Sequence, residues 1–220
     1  MTSISTTTAG PRKARPLVLQ MQMSLDGFVG GPKSEIDWIF KTIDNPTTAW
    51  IVESVSEAGL HVMGSRTFKD MAAWWPTSRE PFAPPMNNIP KAVFTRGDIE
   101  RARATQALAD ATRARGDGAE APSPAVLESW ANPLVLHDIE RDIARLKQED
   151  GKMILAHGGA GFAQALAASG LIDEYRLVVH PVALGAGLPL FSGLAKPLDL
   201  KLVNATTFPN GVIAKTYRPA

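Results

Sequence analysis

Short apolar runs alternate with helical patterns along most of the chain. The runs "LVLQMQMS", "LHVMG", "KAVF", "LVLH" and "KMILAH" are rich in β-formers and end at polar or glycine residues, as buried parallel strands do. Between and after them, "SRTFKDMAAWW", "DIERDIARLKQEDG" and "AGFAQALAAS" have helical spacing. Near the end, "LKLVNATTF-PNG-VIAKTYRP" predicts a hairpin around a Pro-Asn-Gly turn. The pattern predicts a three-layer α/β fold with a mostly parallel central sheet and an antiparallel C-terminal hairpin.

Two segments depart from this alternation. Residues 1–15 lack an apolar stretch, so we expect a disordered tail there. Residues 97–130 carry many charges, few large apolar side chains and a middle rich in Gly, Ala, Pro and Ser. They predict a solvent-exposed insertion, part helical and part mobile around residues 116–124. The organisation expected is therefore a single domain over residues 16–220, with an insertion at about 97–130.

Composition excludes several classes of function. With 45% hydrophobic residues and a net charge of +1, the chain has no broad basic field for nucleic acid, and no apolar run is long enough to span a membrane. Without cysteine there is no disulfide or thiolate metal site, which suits a cytoplasmic protein. The four histidines lack metal-ligand spacing, so no metal is expected. A G-x-S-x-G elbow, the main sequence argument for a hydrolase, is missing.

The turn "HGGAGF" follows a predicted strand and begins a helix. Ligands of open α/β sheets bind beyond the carboxyl ends of the strands, and glycines at a helix start let backbone N–H groups approach a phosphate. Gly159 and Gly161 fit the dinucleotide-binding fingerprint, but Gln164 stands where a third small residue belongs. Phosphate binding and close packing of helix on strand both remain open for this turn.

Two further turns carry arginine. In "MGSRTF" we expect Ser65 to cap a helix whose first turn contains Arg66 and Thr67. A cation there opposes the helix dipole, which favours an anion-binding role over a structural one. In "VFTRG", Thr95 and Arg96 end another strand. A lone arginine is usually a solvated surface residue, but two on neighbouring turns suit a phosphomonoester such as the 2′-phosphate of NADP.

Acidic residues follow the first strand. Ser24 and Asp26 stand at its end, where a carboxylate can bind substrate, although Asp-Gly is also an ordinary turn. Glu35 and Asp37 precede Trp38, and helix capping accounts for one of them.

Together, "MSLDGFVGG", "MGSRTFKDMAAWWP", "VFTR" and "LAHGGAGFAQALAASGLIDEYRLVVHPVALGAGLPLF" resemble the dihydrofolate reductase superfamily. The closer similarity is to the branch of the C-terminal reductase domain of bacterial riboflavin biosynthesis (deaminase-reductase) proteins. It covers roughly residues 16–96 and 130–220. The resemblance implies a dihydrofolate-reductase-like fold, NADPH as the cofactor and, commonly, a homodimer.

The resemblance also assigns roles to individual positions. It implies that Ser24 and Asp26 face the substrate, and that in folate-reducing members an acid near Glu35 contacts the pterin. Riboflavin-pathway reductases usually carry Glu where this sequence has His157, so we expect His157 on the substrate side too. The positions implied for cofactor binding are Val29, Gly64, Ser65, Arg66, Thr67, Thr95, Arg96, Gly158, Gly159, Ala160, Gly161 and Phe162.

These features favour an NADPH-dependent reductase of a small heterocyclic (pterin- or pyrimidine-like) or carbonyl substrate. Asp26 is the candidate catalytic acid, with water as the other proton source. Because no residue is an unambiguous acid, a non-catalytic NADP(H)-binding or sensing protein is the alternative from another class. A true dihydrofolate reductase and an interaction module without cofactor are further alternatives.

Overall fold

A computed structural model describes residues 14–97 and 122–220, so the first 13 residues and most of the predicted insertion lie outside the described residues. The strands are β1 (Leu17–Ser24), β2 (Leu60–Gly64), β3 (Lys91–Phe94), β4 (Leu134–Leu136), β5 (Ile154–Ala156), β6 (Glu174–His180), β7 (Leu200–Thr207) and β8 (Ile213–Pro219). The helices are α1 (Asp37–Phe40), α2 (Asn45–Ser56), α3 (Ser65–Trp74), α4 (Ala83–Asn88), α5 (Pro124–Ala131), α6 (Ile139–Lys147) and α7 (Ala160–Ser169).

All eight strands form one sheet in the order β4-β3-β2-β5-β1-β6-β8-β7. The pairs from β4 to β6 are parallel, whereas β8 is antiparallel to β6 and β7 is antiparallel to β8. The predicted parallel sheet and its antiparallel C-terminal hairpin are therefore confirmed. In the sheet, β5 lies between β2 and β1, although it follows both in the chain.

Helices cover both faces of the sheet, which gives the three predicted layers. Leu17 and Leu19 of β1 pack on the face covered by α6 and α7, whereas Val18 packs on the face covered by α2 to α5. This alternation follows from strand geometry, because successive side chains point to opposite faces. Both faces are buried at β1, β2, β3 and β5, so these strands are mostly apolar, which explains the apolar runs of the sequence; β7 at the edge is largely exposed.

The ends of the helices follow local chemistry. The Asp138 side chain accepts a hydrogen bond of 2.9 Å from the Arg141 N–H and caps α6, and Gly170 ends α7 in the left-handed conformation with φ +68°. The prediction that Ser65 caps α3 is wrong by one residue. Gly64 is the cap, and Ser65 is the first helical residue without a side-chain capping bond, because the strand continues up to Gly64.

Two predicted boundaries are also corrected. Arg15, assigned to the tail, is buried, and its Nε donates to the Lys152 carbonyl oxygen at 2.7 Å. Trp130, assigned to the exposed insertion, is fully buried, stacks near Phe68 at 5.6 Å between ring centroids, and donates to Asn87 Oδ1 at 2.8 Å. Arg15 and Trp130 therefore both belong to the folded domain.

Candidate functional site

The three turns singled out in the sequence lie side by side at the carboxyl edge of the sheet. They follow β3, β2 and β5, which are neighbours and parallel. The ring of Phe162, in the first turn of α7, stacks on Phe94 at 5.2 Å between centroids. A Cβ on Gly64 would stand 3.3 Å from Phe162, and a Cβ on Gly159 would stand 2.7 Å from the Thr67 hydroxyl oxygen. The glycines thus permit a close approach between the starts of α3 and α7.

Both helices present unbonded backbone N–H groups at this edge. The first N–H groups of a helix have no partner within the helix, and the helix dipole makes this end attractive to anions. Neither α3 nor α7 has an acidic residue in its first turn. Gly159, the cap of α7, has φ +96° and ψ 105°, a conformation that favours glycine. In the family that the sequence resembles, the Gly-Gly peptide is often cis; here the described peptide bonds are all trans.

Two arginines flank these helix starts. Arg66 and Arg96 are exposed, and no ion pair or hydrogen bond of either guanidinium is formed within residues 14–97 and 122–220. The turn that carries Arg96 is held in place: the Thr95 hydroxyl accepts from the Gly97 N–H at 3.2 Å, and the Thr95 carbonyl accepts from His137 Nδ1 at 2.9 Å. Among the described residues, the edge therefore combines free N–H groups with arginine charges that no carboxylate pairs.

The sheet changes winding direction next to these turns. After β1 the chain crosses to β2 on one side, and after β5 it crosses to β6 on the other, so the switch lies between β1 and β5. Open α/β sheets bind ligands in the crevice at such a point. The last register pair is Leu19 with Ala156, so β1 continues five residues beyond β5. Met21 on this extension reaches within 3.3 Å of a Cβ placed on Gly158.

The loop after β1 borders the crevice and is held by a second loop, residues 181–193. Val29 is buried, and its N–H donates to the Leu188 carbonyl oxygen at 2.8 Å. The Leu188 N–H donates back to the Gly30 carbonyl oxygen at 2.8 Å. The Gln164 side chain connects α7 to this second loop by donating to the Pro189 carbonyl oxygen at 2.7 Å. The glycine-rich segment around Gly187 thus shapes the wall of the crevice.

Asp26 connects the loop after β1 to residues 181–193. Its carboxylate accepts from the Ser24 hydroxyl at 2.6 Å, from the Leu184 N–H at 3.1 Å and from the Gly185 N–H at 2.7 Å. The Ser24 hydroxyl bond, followed by the Gly185 bond, lowers the pKa of Asp26 to about 2. A carboxylate held ionised in this way is unsuited to donate a proton at neutral pH. The expectation that Asp26 is the catalytic acid and that Ser24 and Asp26 face the substrate stays a prediction, and these bonds do not require such a role.

Glu35 likewise closes its own loop. Its carboxylate accepts from the Lys33 N–H at 2.7 Å, and its backbone carbonyl accepts from the Gly31 N–H at 2.9 Å and from the Trp38 indole at 3.2 Å. The side chain is exposed. These local bonds account for Glu35 without a pterin, and its expected role as a substrate-binding acid stays a prediction.

His157, also expected on the substrate side, has a buried partner. Its side chain is buried, and its Nε2 lies 2.9 Å from His61 Nδ1. His61 Nε2 lies 3.2 Å from the Pro85 carbonyl oxygen, which only accepts, so His61 donates there and receives a hydrogen bond from His157. Burial lowers the pKa of His157 to about 4 and also lowers the pKa of His61. The expectation that His157 lies on the substrate side stays a prediction; in the structure its Nε2 is committed to His61.

A polar cluster beside the crevice was missed by the sequence reasoning. Fully buried His180 lies 2.7 Å from Gln22 Oε1 through Nε2 and 2.7 Å from Thr42 Oγ1 through Nδ1. The edge of the Trp38 ring packs on His180 at 5.4 Å between centroids. Gln22 and His180 lie on adjacent strands, so only a prediction of strand order would have brought them together.

Other features of the described residues have no part in this edge. No group of His, Asp or Glu within residues 14–97 and 122–220 is arranged to hold a metal ion. No described helix is long and apolar enough to cross a membrane. An open cleft of about 640 Å³ lies at the amino ends of the strands, lined by Gly59, Pro90, Lys91 and Leu134 among others, away from the three turns.

The comparisons with known proteins identify the class. The chain belongs to the RibD C-terminal domain family, whose model matches residues 15–214. It is 28% identical over 210 residues to the uncharacterized protein YyaP of Bacillus subtilis (strain 168), covering 93% of this chain and 95% of that protein. A shorter stretch of 69 residues is 41% identical to the uncharacterized protein YwjB of the same organism, covering 31% of this chain and 40% of that protein.

Solved structures confirm the dihydrofolate-reductase-like fold. A putative riboflavin biosynthesis protein from Shewanella sp. PV-4 matches with a TM-score of 0.63 and 18% identity, over 93% of this chain and 99% of that one. Dihydrofolate reductase from Enterococcus faecalis, complexed with NADP(H), matches with a TM-score of 0.53 and 14% identity, over 93% and 96% of the two chains. The deaminase/reductase of Thermotoga maritima matches with a TM-score of 0.61 and 18% identity over 94% of this chain, which spans 57% of that protein.

Proposed function

We propose that the protein is an NADPH-dependent reductase that transfers a hydride to a small heterocyclic substrate, pterin- or pyrimidine-like, or to a carbonyl compound. One observation carries the proposal: two helix N-termini with no acid in their first turns meet, at the switch point of the sheet, beside two arginines that form no ion pair within residues 14–97 and 122–220. Membership of the RibD C-terminal domain family and the NADP(H) complex of the similar dihydrofolate reductase support the choice of cofactor.

The chain offers a group for each part of the cofactor. The starts of α3 and α7, with Ser65, Thr67, Gly158, Gly159, Ala160, Gly161 and Phe162, are suited to the phosphates because their backbone N–H groups are free. Arg66, Thr95 and Arg96 are suited to the 2′-phosphate, a doubly charged group that favours guanidinium. Val29 and the loops after β1 and β6 wall the crevice in which the nicotinamide would lie.

The reaction requires orientation more than side-chain acid chemistry. NADPH supplies the hydride when bound, and the chain's part is to hold the acceptor beside it and to exclude water. Because Asp26 is held ionised, we assign proton delivery to water and assign Asp26 the task of holding residues 181–193 over the crevice.

Removing the two arginines tests the assignment of the 2′-phosphate. The double variant Arg66→Ala/Arg96→Ala is expected to weaken NADPH binding at least about tenfold more than NADH binding, because only NADPH carries the 2′-phosphate. Titration of nicotinamide fluorescence measures both affinities. The matched control Arg79→Ala/Arg145→Ala removes the same charge from two other exposed positions and should leave the NADPH-to-NADH ratio unchanged. Equal loss for both cofactors in the test variant would contradict the proposal.

A non-catalytic NADP(H)-binding or sensing protein is the second candidate, favoured by the ionised state of Asp26. Sustained NADPH oxidation with any member of a panel of pterins, pyrimidines and carbonyl compounds would exclude it. If NADPH at millimolar concentration fails to raise the melting temperature, both candidates fail and an interaction module remains. The bonds of Glu35 give no support to a true dihydrofolate reductase.

We also propose a homodimer, on the resemblance alone. Light scattering coupled to size exclusion measures it directly: a mass near 47 kDa, twice the 23.6 kDa of the chain, is expected, and a mass of one chain would contradict it.

A further inference from the structure

Lys91 carries a buried amine at the amino end of β3. Its side chain is only 3% exposed, and its Nζ lies 2.9 Å from the Asn87 carbonyl oxygen and 2.6 Å from the Ser129 hydroxyl oxygen. Nζ also stands over the Trp130 ring, 4.5 Å from its centroid. All three neighbouring groups are uncharged. Because no described acidic residue pairs with Lys91, a positive charge there has no partner in the interior.

The surroundings of this amine favour its neutral form. Burying a charged group is costly unless an opposite charge pairs with it. Burial lowers the pKa of Lys91 to about 7, so a large fraction of the amine is unprotonated at neutral pH. His61 stands beside Lys91 in the register of β2 with β3, and burial lowers its pKa too, so it adds no negative charge that would hold a proton on Lys91.

The amine borders an open cleft. Lys91 and Ser129 both line the cleft of about 640 Å³ at the amino ends of β2, β3 and β4, so a small molecule can approach the amine from this side. Arg15 on the cleft wall lies 3.9 Å from Glu149, and exposed Glu128 adds a further negative charge. The walls therefore carry no excess of positive charge that would attract an anion, and they suit an uncharged ligand.

The cleft is separate from the crevice of the proposed cofactor. Lys91 is the first residue of β3, whereas Thr95 and Arg96 follow the last residue of the same strand. The neighbouring strands β2 and β4 are parallel to β3, so the cleft and the three turns lie at opposite edges of the sheet. A function of Lys91 is therefore independent of the proposed reductase activity.

We propose that Lys91 is a nucleophilic amine and that the cleft takes a small uncharged aldehyde, which Lys91 binds covalently as an imine. Lysine amines in apolar surroundings are suited to this chemistry, because the neutral nitrogen is the nucleophile. The nitrogen attacks the carbonyl carbon and gives a carbinolamine, while a proton moves from nitrogen to the former carbonyl oxygen. That oxygen then leaves as water and the C=N bond forms, so one amine and one aldehyde give one imine and one water.

Ser129 is placed to assist the proton transfer. Its hydroxyl lies 2.6 Å from Nζ, and a hydroxyl can both donate and accept a hydrogen bond. The same group can therefore accept from the protonated amine and donate to the neutral one, so Nζ keeps a partner in both states.

Reductive trapping of the imine tests the proposal on the full chain. Glycolaldehyde is the probe, and sodium cyanoborohydride reduces any imine to a stable secondary amine. Mass spectrometry of the digested protein measures the rate of labelling at each lysine. At pH 7, Lys91 should be labelled at least about tenfold faster than exposed lysines such as Lys201, because an ordinary lysine is almost fully protonated at this pH. Labelling of Lys91 at or below the rate of Lys201 would overturn the proposal.

The pH dependence separates a neutral amine from a merely accessible one. Between pH 7.5 and 9.5 the rate at Lys91 should rise less than about fivefold, because most of the amine is already unprotonated. Over the same range the rates at exposed lysines should rise about a hundredfold as their neutral fraction grows. A rate at Lys91 that rises in parallel with the exposed lysines would also overturn the proposal.

Two variants link the fast reaction to this side chain. Lys91→Met removes the amine and keeps an unbranched apolar side chain, so the fastest-labelled site should disappear while the rates at exposed lysines stay within about twofold. The matched variant Lys201→Met removes an exposed amine and should leave the rate at Lys91 unchanged. If Lys91→Met does not fold, the labelling map of the wild-type protein and its pH dependence still decide the question.

Discussion

At the scale of single residues, the bonds of Asp26 lead to a prediction about stability and activity. Asp26→Asn replaces one accepting oxygen by an N–H₂ group that meets the N–H donors of Leu184 and Gly185, so the loop should loosen and the melting temperature should fall by several degrees. The pKa of Asp26 is lowered to about 2, and a lowered carboxyl pKa stabilises the fold fully above the unfolded value near 4. The difference from wild type should therefore be constant from pH 5 to 9.

The same variant tests the assignment of proton delivery to water. If Asp26 only holds the loop, Asp26→Asn should leave the shape of the pH profile of kcat unchanged. The rate of NADPH oxidation measures kcat. Exposed Asp70 on α3 offers the matched change Asp70→Asn, which should alter neither melting temperature nor rate. Loss of the limb of the pH profile that reports the acid would show that Asp26 is the donor after all.

Single-residue roles were the least predictable part of the site. The glycine, arginine and hydroxyl residues expected at strand ends do lie together, and their role in anion binding stays a prediction. The sequence did not indicate the partners of His157 and Glu35: His61 lies 96 residues before His157, and the partner of Glu35 is the backbone of its own loop. Spacing along a chain carries no signal for the first kind of contact.

At the scale of elements, the start of α7 leads to a prediction about one glycine. Gly159→Ala places a side chain at φ +96° and sets its Cβ 2.7 Å from the Thr67 hydroxyl oxygen. We expect a loss of about 1–3 kcal/mol in the free energy of unfolding from the strained backbone. Because the turn must shift, NADPH affinity should fall at least about tenfold. Urea unfolding and nicotinamide fluorescence measure the two effects.

Gly161, two residues further on, is the matched control for stability. A Cβ there meets nothing within 4 Å, and its φ lies outside the left-handed range. Gly161→Ala should therefore be neutral or stabilise the fold by about 0.5 kcal/mol, because alanine suits a helix better than glycine. If both substitutions destabilise the fold equally, the conformation of Gly159 is not the cause.

Elements were more predictable than residues because their signals are local. A strand, a glycine turn and a helix follow one another within about twenty residues in each of the motifs "LHVMGSRTF" and "KMILAHGGAGF". The predictions that failed were segment boundaries that depend on tertiary contacts. Trp130 sits in a charged segment, and only its packing on Phe68 and its bond to Asn87 place it in the core.

At the scale of the whole molecule, the strand order creates the site. Inserting β5 between β2 and β1 puts the glycine turn beside the arginine turns and leaves the end of β1 exposed to the crevice. Alternating strands and helices predicted the layers, but not which neighbours each strand would take. That order depends on crossovers between strands far apart in the sequence, which no local pattern contains.

Burial of three histidines in this fold leads to a prediction about acid. Burial lowers the pKa values of His61, His157 and His180, the last two to about 4. The unfolded state binds their protons near pH 6.5, so stability is full above that pH and falls as the pH drops toward 4. Each such histidine lowers the free energy of unfolding by about 1.4 kcal/mol per pH unit of acidification, so three lower it by up to about 4 kcal/mol per unit. A typical free energy of unfolding is about 5–15 kcal/mol.

We therefore expect acid unfolding in the mildly acidic range, measured as the free energy of urea unfolding between pH 7.5 and 4.5. His157→Gln should flatten the slope by about one proton, because glutamine stays neutral in both states. A wild-type stability that is flat over this range would mean that the histidines are protonated in the folded protein. The hydrogen bond that neutral His61 accepts from His157 would then be wrong.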